Sequence, residues 1–287
     1  MNKLTAPSKS TLVALTFVMA FLIVMPAFAQ ENTVDKINVP LSDPSRPVKL
    51  EVGIMNGSIT VKGVQGLKEV IVEAATRYKE HRRGRDRDTE RPDGLRRIQN
   101  TTTGLSVEED NNHVDVSTGM AGHSRTIDLT IQVPINTTME LSTINDGDVF
   151  VENIVGDLEI SNTNGKVTAE KISGSAVIHA LNGNIVVTFI KVNQQNPMSF
   201  SSMNGKIDLT FPGDIKASVF MKNVQGEIYT DFDMNVEQSA LRKEEGEGSR
   251  GRFQYSFERG MKGAINGGGL EIQVSNFNGD VYIRKGK

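Results

Sequence analysis

The sequence predicts an all-β fold: a single β-solenoid or β-roll of stacked 18–22-residue coils, with a less regular, strand-rich N-terminal part. Three observations lead there. A short Asn-Gly frame recurs along the chain, the copies are evenly spaced, and each is followed by alternating apolar and polar residues.

Residues 1–29 read as a secretory signal. Lys3 and Lys9 supply the positive start, and Leu12 to Met25 form an apolar run of 14 residues interrupted only by Thr16. Pro26 then precedes Ala27-Phe28-Ala29, a small-x-small cleavage site. The run is short for a spanning helix of about 20 residues; an uncleaved N-terminal anchor is the other reading. Cleavage near Ala29 leaves an exported chain from about Gln30, periplasmic or extracellular and not membrane-spanning. Losing Lys3 and Lys9 takes the basic residues from 32 to 30 against 35 acids, and the formal charge from −3 to −5. A mildly acidic chain has no electrostatic footprint for nucleic acid. With 37% hydrophobic residues and 27 glycines the composition is globular rather than disordered. The absence of cysteine excludes a disulfide framework, zinc-thiolate sites, thiol catalysis and a cysteine-anchored lipoprotein.

Residues 30–287 form one expected domain with polar loop insertions at about 77–104 and 237–265. Between residues 37 and 135, Thr126 to Val133 alternates cleanly, with Ile127, Leu129, Ile131 and Val133 on one face and Pro134 as a stop. Val114 to Val116 reads as its antiparallel partner, connected through Ser117 to Ser124. The first insertion carries eight arginines from Arg77 to Arg97, plus Lys79, against five acids. The second, Glu237 to Arg252, is polar as well. Neither segment buries an apolar face, so both read as projecting loops.

The regular region follows. Gly147, Gly165 and Gly183 lie 18 apart, and Gly205 and Gly226 follow at 22 and 21. Each begins a frame of Gly-polar-(Ile/Val), as in Asn164-Gly165-Lys166-Val167, and further copies start at Gly57 and Gly279. Gly66, Gly156 and Gly174 mark half-units nine residues on. Asn-Gly favours positive φ, and between alternating strands it is also a hairpin signal, so a hairpin meander competes with a solenoid. Equal spacing favours the solenoid, with Val149, Val167, Ile185, Ile207 and Ile228 as a stacked inward row.

These Asn-Gly-x-(Ile/Val)-x-Val coils behind a signal peptide resemble the bacterial exported "putative adhesin" family of unknown function, over roughly residues 48–287. The resemblance implies a right-handed β-solenoid-like exported domain and brings no catalytic residues.

No residue pattern points to catalysis, a metal or a cofactor. The turns carry Asn, Ser or Gln as often as Asp, with Asp146 and Asp148 the only close pair, too few oxygens for repeated calcium cages. His81, His113, His123 and His179 are scattered, and Gly267-Gly268-Gly269 leads into a strand rather than a helix. Two surface features remain. Arg82, Arg83, Arg85 and Arg87 offer contact with anionic envelope material, weighed against a solubilising insertion whose acids cancel much of the charge. The outward row, with Phe150, Tyr229 and Tyr282 as its aromatic members, offers a face for extended polymers. Gly57, Gly147, Gly165, Gly183, Gly205, Gly226 and Gly279 are structural turn positions.

The expected function is therefore a non-enzymatic exported module for binding, adhesion or envelope scaffolding, with an envelope glycan, a lipid or another surface protein as partner. Self-association through the stack ends is a further expectation. The alternative is a polysaccharide-active solenoid enzyme acting on acidic glycans, for which Asp148, Lys166 and Lys206 share the one available turn position.

Overall fold

Alternating side chains make strands throughout the described chain, and the repeat strands turn one apolar face inward. The structure, a computed structural model, describes residues 34–77, 103–118, 125–244 and 255–286. The expected signal segment, residues 1–29, and most of the arginine-rich insertion lie outside these residues. In chain order the strands begin with β1 (Val34–Pro40), β2 (Val48–Asn56), β3 (Ile59–Val64), β4 (Glu69–Arg77), β5 (Leu105–Asp110), β6 (His113–Thr118) and β7 (Thr126–Pro134). The repeats supply β8 (Thr137–Asn145), β9 (Val149–Val155), β10 (Leu158–Asn164), β11 (Val167–Gly174), β12 (Ala176–Asn182), β13 (Ile185–Val192), β14 (Met198–Asn204), β15 (Ile207–Phe211), β16 (Ala217–Gln225) and β17 (Ile228–Thr230). The chain closes with β18 (Met234–Glu244), β19 (Tyr255–Ile265), β20 (Leu270–Asn278) and β21 (Val281–Lys285).

The described strands form two mixed sheets, and each Asn-Gly corner carries the chain from one to the other. The ten-stranded sheet runs β1-β4-β7-β3-β9-β11-β13-β15-β21-β17, and the eleven-stranded sheet runs β18-β19-β16-β20-β14-β12-β10-β8-β2-β6-β5. The repeat strands pair in parallel without slippage at the corners: Val167 faces Val149 and Ile185, and Ile160 faces Leu141 and Ile178. Equivalent apolar residues therefore stack inward. Val149, Val167, Ile185, Ile207 and Val281 are all fully buried, while Ile228 on the terminal strand is half-buried. Phe189 and Phe211 stack at 5.1 Å beneath Phe200 and fill the core between the sheets.

The spatial order of coils differs from the order in sequence. The β20–β21 coil lies between β14–β15 and β16–β17, and the β2–β3 coil lies next to β8–β9. Two further expectations are corrected. β6 and β7 are not partners: β6 pairs with β2 and β5 in one sheet, and β7 with β3 and β4 in the other. The rows Val114/Val116 and Ile127 to Val133 are both buried, and alternation does not say which sheet a strand joins. Residues 237–265, expected as a polar loop, instead contain β18 and β19, which pair antiparallel from Met234–Ile265 to Glu244–Tyr255.

The corners explain the glycines. A Cβ on Gly147 would lie 1.7 Å from the carbonyl oxygen of Gly57, one on Gly165 2.0 Å from that of Gly147, and one on Gly183 1.8 Å from that of Gly165. The ladder continues through Gly205, Gly279 and Gly226, at 2.2, 2.4 and 2.2 Å from the preceding glycine oxygen. Positive φ is only part of the reason, since Gly147 and Gly183 lack a left-handed φ and are equally obligatory. The opposite corner repeats the device, with the Cβ position of Gly174 2.1 Å from the Gly156 oxygen.

Side chains then tie the corners together. Outside, Asn204, Asn182 and Asn164 each donate their Nδ2 to the Oδ1 of the previous asparagine, ending at Asn145, over 2.9–3.2 Å. Inside, Thr143, Asn162, Ser202 and Asn276 donate to the carbonyl oxygens of Gly57, Gly147, Gly183 and Gly205. Thr143 and Ser202 do this with a hydroxyl. Asn162 leaves its buried Oδ1 without a protein partner.

Two measurements check this account. Gly147→Ala should lower stability by about 3 kcal/mol or more, because backbone oxygen occupies the methyl position. Gly66→Ala has open space and a φ of +76°, and should cost only the left-handed penalty of about 1–2 kcal/mol. Equal denaturant midpoints for the two variants would overturn the steric account. Replacing Asn162 with threonine keeps the donor, removes the orphaned acceptor, and should raise the unfolding free energy by about 1 kcal/mol. A fall in melting temperature would overturn it.

Candidate binding surface

In-register stacking turns each outward position of a strand into a row across the sheet, so candidate sites are rows rather than pockets. On the ten-stranded sheet, Thr60, Phe150, Thr168, Val186, Asp208, Tyr282 and Tyr229 fall on one row. Phe150 is half-buried and separated from the tyrosines by three intervening strands, while Tyr229 and Tyr282 stack at 5.1 Å with 12° between ring planes. Arg284 lies 4.8 Å from the Tyr282 ring centre and donates to Asp208 Oδ1 at 2.7 Å. That carboxylate holds the Arg284 guanidinium above its usual pKa. Burial, followed by the hydrogen bond from Tyr282 to Asp280, raises the Tyr282 phenol. The aromatic pair is thus a packed, charge-rimmed cluster at one end of the row, with Tyr229 half-exposed at the sheet edge.

The remaining expected contacts divide. Arg82, Arg83, Arg85 and Arg87 lie outside the described residues. Arg77, at the root of that segment, donates to both oxygens of Asp128 and to the Asp146 carbonyl. A polar hollow beside it is lined by Ser58, Thr60, Asp146, Asp148, Phe150 and Asn164. The row of Asp148, Lys166 and Lys206 is engaged in the corners: Asp148 accepts from the Lys166 amide at 2.8 Å, and Lys206 pairs with Asp208 at 3.5 Å. Along the ladder, a residue with an acceptor alternates with one whose amide it caps. Asp128 caps Ser58, Asp148 caps Lys166, Asn184 caps Lys206 and Asp280 caps Glu227. Among the described residues, no group of three or more His, Asp or Glu side chains is arranged to hold a metal ion.

The feature missed in the sequence lies on the outer face of the eleven-stranded sheet. One residue before the corner Asn or Gln stand Ile144, Thr163, Leu181, Met203, Phe277 and Val224, neighbours across successive strands. Leu181, Met203, Phe277 and Val224 are 45–53% exposed and form an unbroken apolar ridge. Two residues earlier lies a polar row of Ser161, His179, Ser201, Ser275 and Lys222. Between the rows runs a groove of about 390 Å³. His179 Nδ1 lies 2.6 Å from Ser201 Oγ and joins two coils along the polar side. The signal was present: five of the six residues preceding a corner amide, from Ile144 to Phe277, are apolar.

No family model and no curated protein matches the chain. Among solved structures, a "putative cell adhesion protein" from Clostridium sporogenes is 11% identical, covering 88% of this chain and all of that one, with a TM-score of 0.47. A "putative adhesin" from Bacteroides fragilis is 12% identical over 88% of this chain and 97% of that one, at a TM-score of 0.33. Another, from Parabacteroides distasonis, is 9% identical over 88% and 98%, at 0.27. Their names coincide with the family that the repeat texture resembles. Among the described residues, no helix is long and apolar enough to cross a membrane.

The Asp128 cap makes the first corner sensitive to acid. Burial is the largest influence and pushes its carboxyl up, but the Ser58 hydroxyl, Arg77 and the Ser58 amide together bring it below the ordinary range. A depressed folded pKa means the stabilisation is full above the unfolded value near 3.8 and is lost as pH falls through the lower folded one. Thermal melts from neutral pH into that range should show a steep loss for the native chain and a shallower one for Asp128→Asn. Parallel curves would overturn the assignment.

Proposed function

We propose that this chain is an exported, non-enzymatic binding module, serving adhesion or envelope scaffolding by presenting ordered outward rows to an extended surface partner. The observation that carries it is the ridge of Leu181, Met203, Phe277 and Val224, four large apolar side chains half in solvent on adjacent strands. Scattered exposed apolar residues are ordinary, whereas a contiguous line of them beside a groove marks an interaction surface. The arginines between 82 and 87 add an electrostatic contact for anionic envelope material, acting within a Debye length of about 8–10 Å. The ridge and the arginines differ in salt dependence, so one partner surface can be held by either contact alone.

The enzyme alternative is the weaker reading, because the Asp148 carboxylate caps the Lys166 backbone amide and the Lys206 ammonium pairs with Asp208. The purified protein incubated with acidic and neutral polysaccharides and with anionic vesicles should co-sediment with at least one of them. Recovered polysaccharides should keep their chain length on size exclusion. Shortened polymer would overturn the non-enzymatic reading, and no retention on any surface would overturn the binding one.

A further inference from the structure

The groove on the eleven-stranded sheet has two chemically different walls that repeat with the coils. Ser161, His179, Ser201, Ser275 and Lys222 put a polar group on each of five successive strands. Facing them across one backbone position, Leu181, Met203, Phe277 and Val224 put an apolar group on four of the same strands, with Thr163 on the fifth. At about 4.8 Å between strands the groove runs straight for about 19 Å along the stack. A linear repeating chain with a polar edge and an apolar edge matches both walls.

We propose that this groove binds an uncharged linear polysaccharide in an extended, ribbon-like conformation, an inference that rests on the binding reading above. Pyranose rings present hydroxyls at the rim and C–H groups on the faces, which suits one hydroxylic and one apolar wall at a regular interval. The lining carries no carboxylate, and its one permanent cation, Lys222, stands at the end of the row, so no charge is available to match a charge on every ring. An extended peptide suits it less. Peptides adding to a sheet bond to a free strand edge, and β10, β12, β14, β20 and β16 each have a neighbour on both sides. A second copy of the chain suits it less as well, since a standard interface buries about 800 Å² per partner and the ridge supplies only a few hundred. An acyl chain would leave the hydroxyl wall desolvated and unpaired.

Calorimetric titration of the purified protein with cellohexaose and chitohexaose tests the assignment, with an oligogalacturonate and anionic vesicles as charged comparators. At least one neutral hexasaccharide should bind, with affinity nearly independent of salt. Met203→Ser with Leu181→Ser, which removes apolar wall that is already half in solvent, should weaken that binding by about tenfold or more. Ser201→Leu, which leaves the apolar wall intact, should weaken it as well; circular dichroism melts confirm that each variant folds. If acidic glycan or vesicles bind the native protein and both variants alike while neutral sugars do not bind, the groove assignment falls and the binding reading stands. Neutral sugar binding equally to all three proteins also overturns the site. Self-association abolished by the variants, with no sugar bound, assigns the groove to a second copy instead. If no probe binds, both readings fall.

Discussion

At each Asn-Gly corner, two successive turns of backbone approach so closely that a carbonyl oxygen occupies the space of the next residue's side chain. From Gly147 to Gly226 the ladder admits no Cβ at any step. That contact sets the register of every coil against its neighbour. Because the register is fixed at the corner, apolar residues such as Val149, Val167 and Ile185 meet their own kind inside, and outward residues line up as rows. The amide chain from Asn204 to Asn145 outside, and the donors Thr143, Asn162, Ser202 and Asn276 inside, hold the same joint from both sides. A surface of aligned rows is thus a consequence of backbone packing before it has any ligand.

Much of this was legible because period and alternation are local properties. The glycine spacing marked the corners, and the Val/Ile row after each glycine marked the core. The reason for the glycines was only half legible: φ is a property of one residue, whereas the clash that excludes alanine at Gly147 and Gly183 belongs to two coils at once. Non-local placement was hidden for the same cause. Nothing in the spacing says that β21 separates β15 from β17, or that β6 and β7 join opposite sheets. The β18–β19 hairpin was hidden by composition, because its strands are rich in charge and carry no Asn-Gly frame. The groove has a local signal too, in the apolar residue before each corner amide. The residues after each glycine include Phe150, Tyr229 and Tyr282, while Leu181, Met203, Phe277 and Val224, one before each corner amide, are the ones left in solvent.

The two outer faces consequently differ in character. On the ten-stranded sheet, Tyr282 donates to Asp280, stacks on Tyr229 and lies beside the Arg284–Asp208 ion pair. Such a cluster is already satisfied, and a ligand must compete with its internal partners. On the eleven-stranded sheet, the ridge has only water to displace, which is the cheaper exchange. A one-residue offset along a strand moves a side chain from core to surface, so the two rows flanking the groove sit on alternate outward positions and can vary without disturbing the buried row between them.

The place of β20–β21 in the stack has a consequence for how the molecule is made. The penultimate coil in space is the last in sequence: β16–β17 leaves the nascent chain some forty residues before the strands that separate it from β14–β15. Along the repeats, zipping from β8–β9 can proceed one coil at a time only as far as β15. The next seat in the stack belongs to Leu270–Lys285, while the earlier-made Ala217–Thr230 has the same Asn/Gln-Gly corner and the same alternation. Order of synthesis and order of assembly are therefore opposed at this joint, as they are where β7 separates β3 from the earlier-made β4. A chain emerging N-terminus first must either leave that seat open until Leu270–Lys285 arrives or fill it wrongly and exchange. Filling that seat is thus a competition between two coils of the same pattern, and it gives Leu270–Lys285 a part in the maturation of the whole stack.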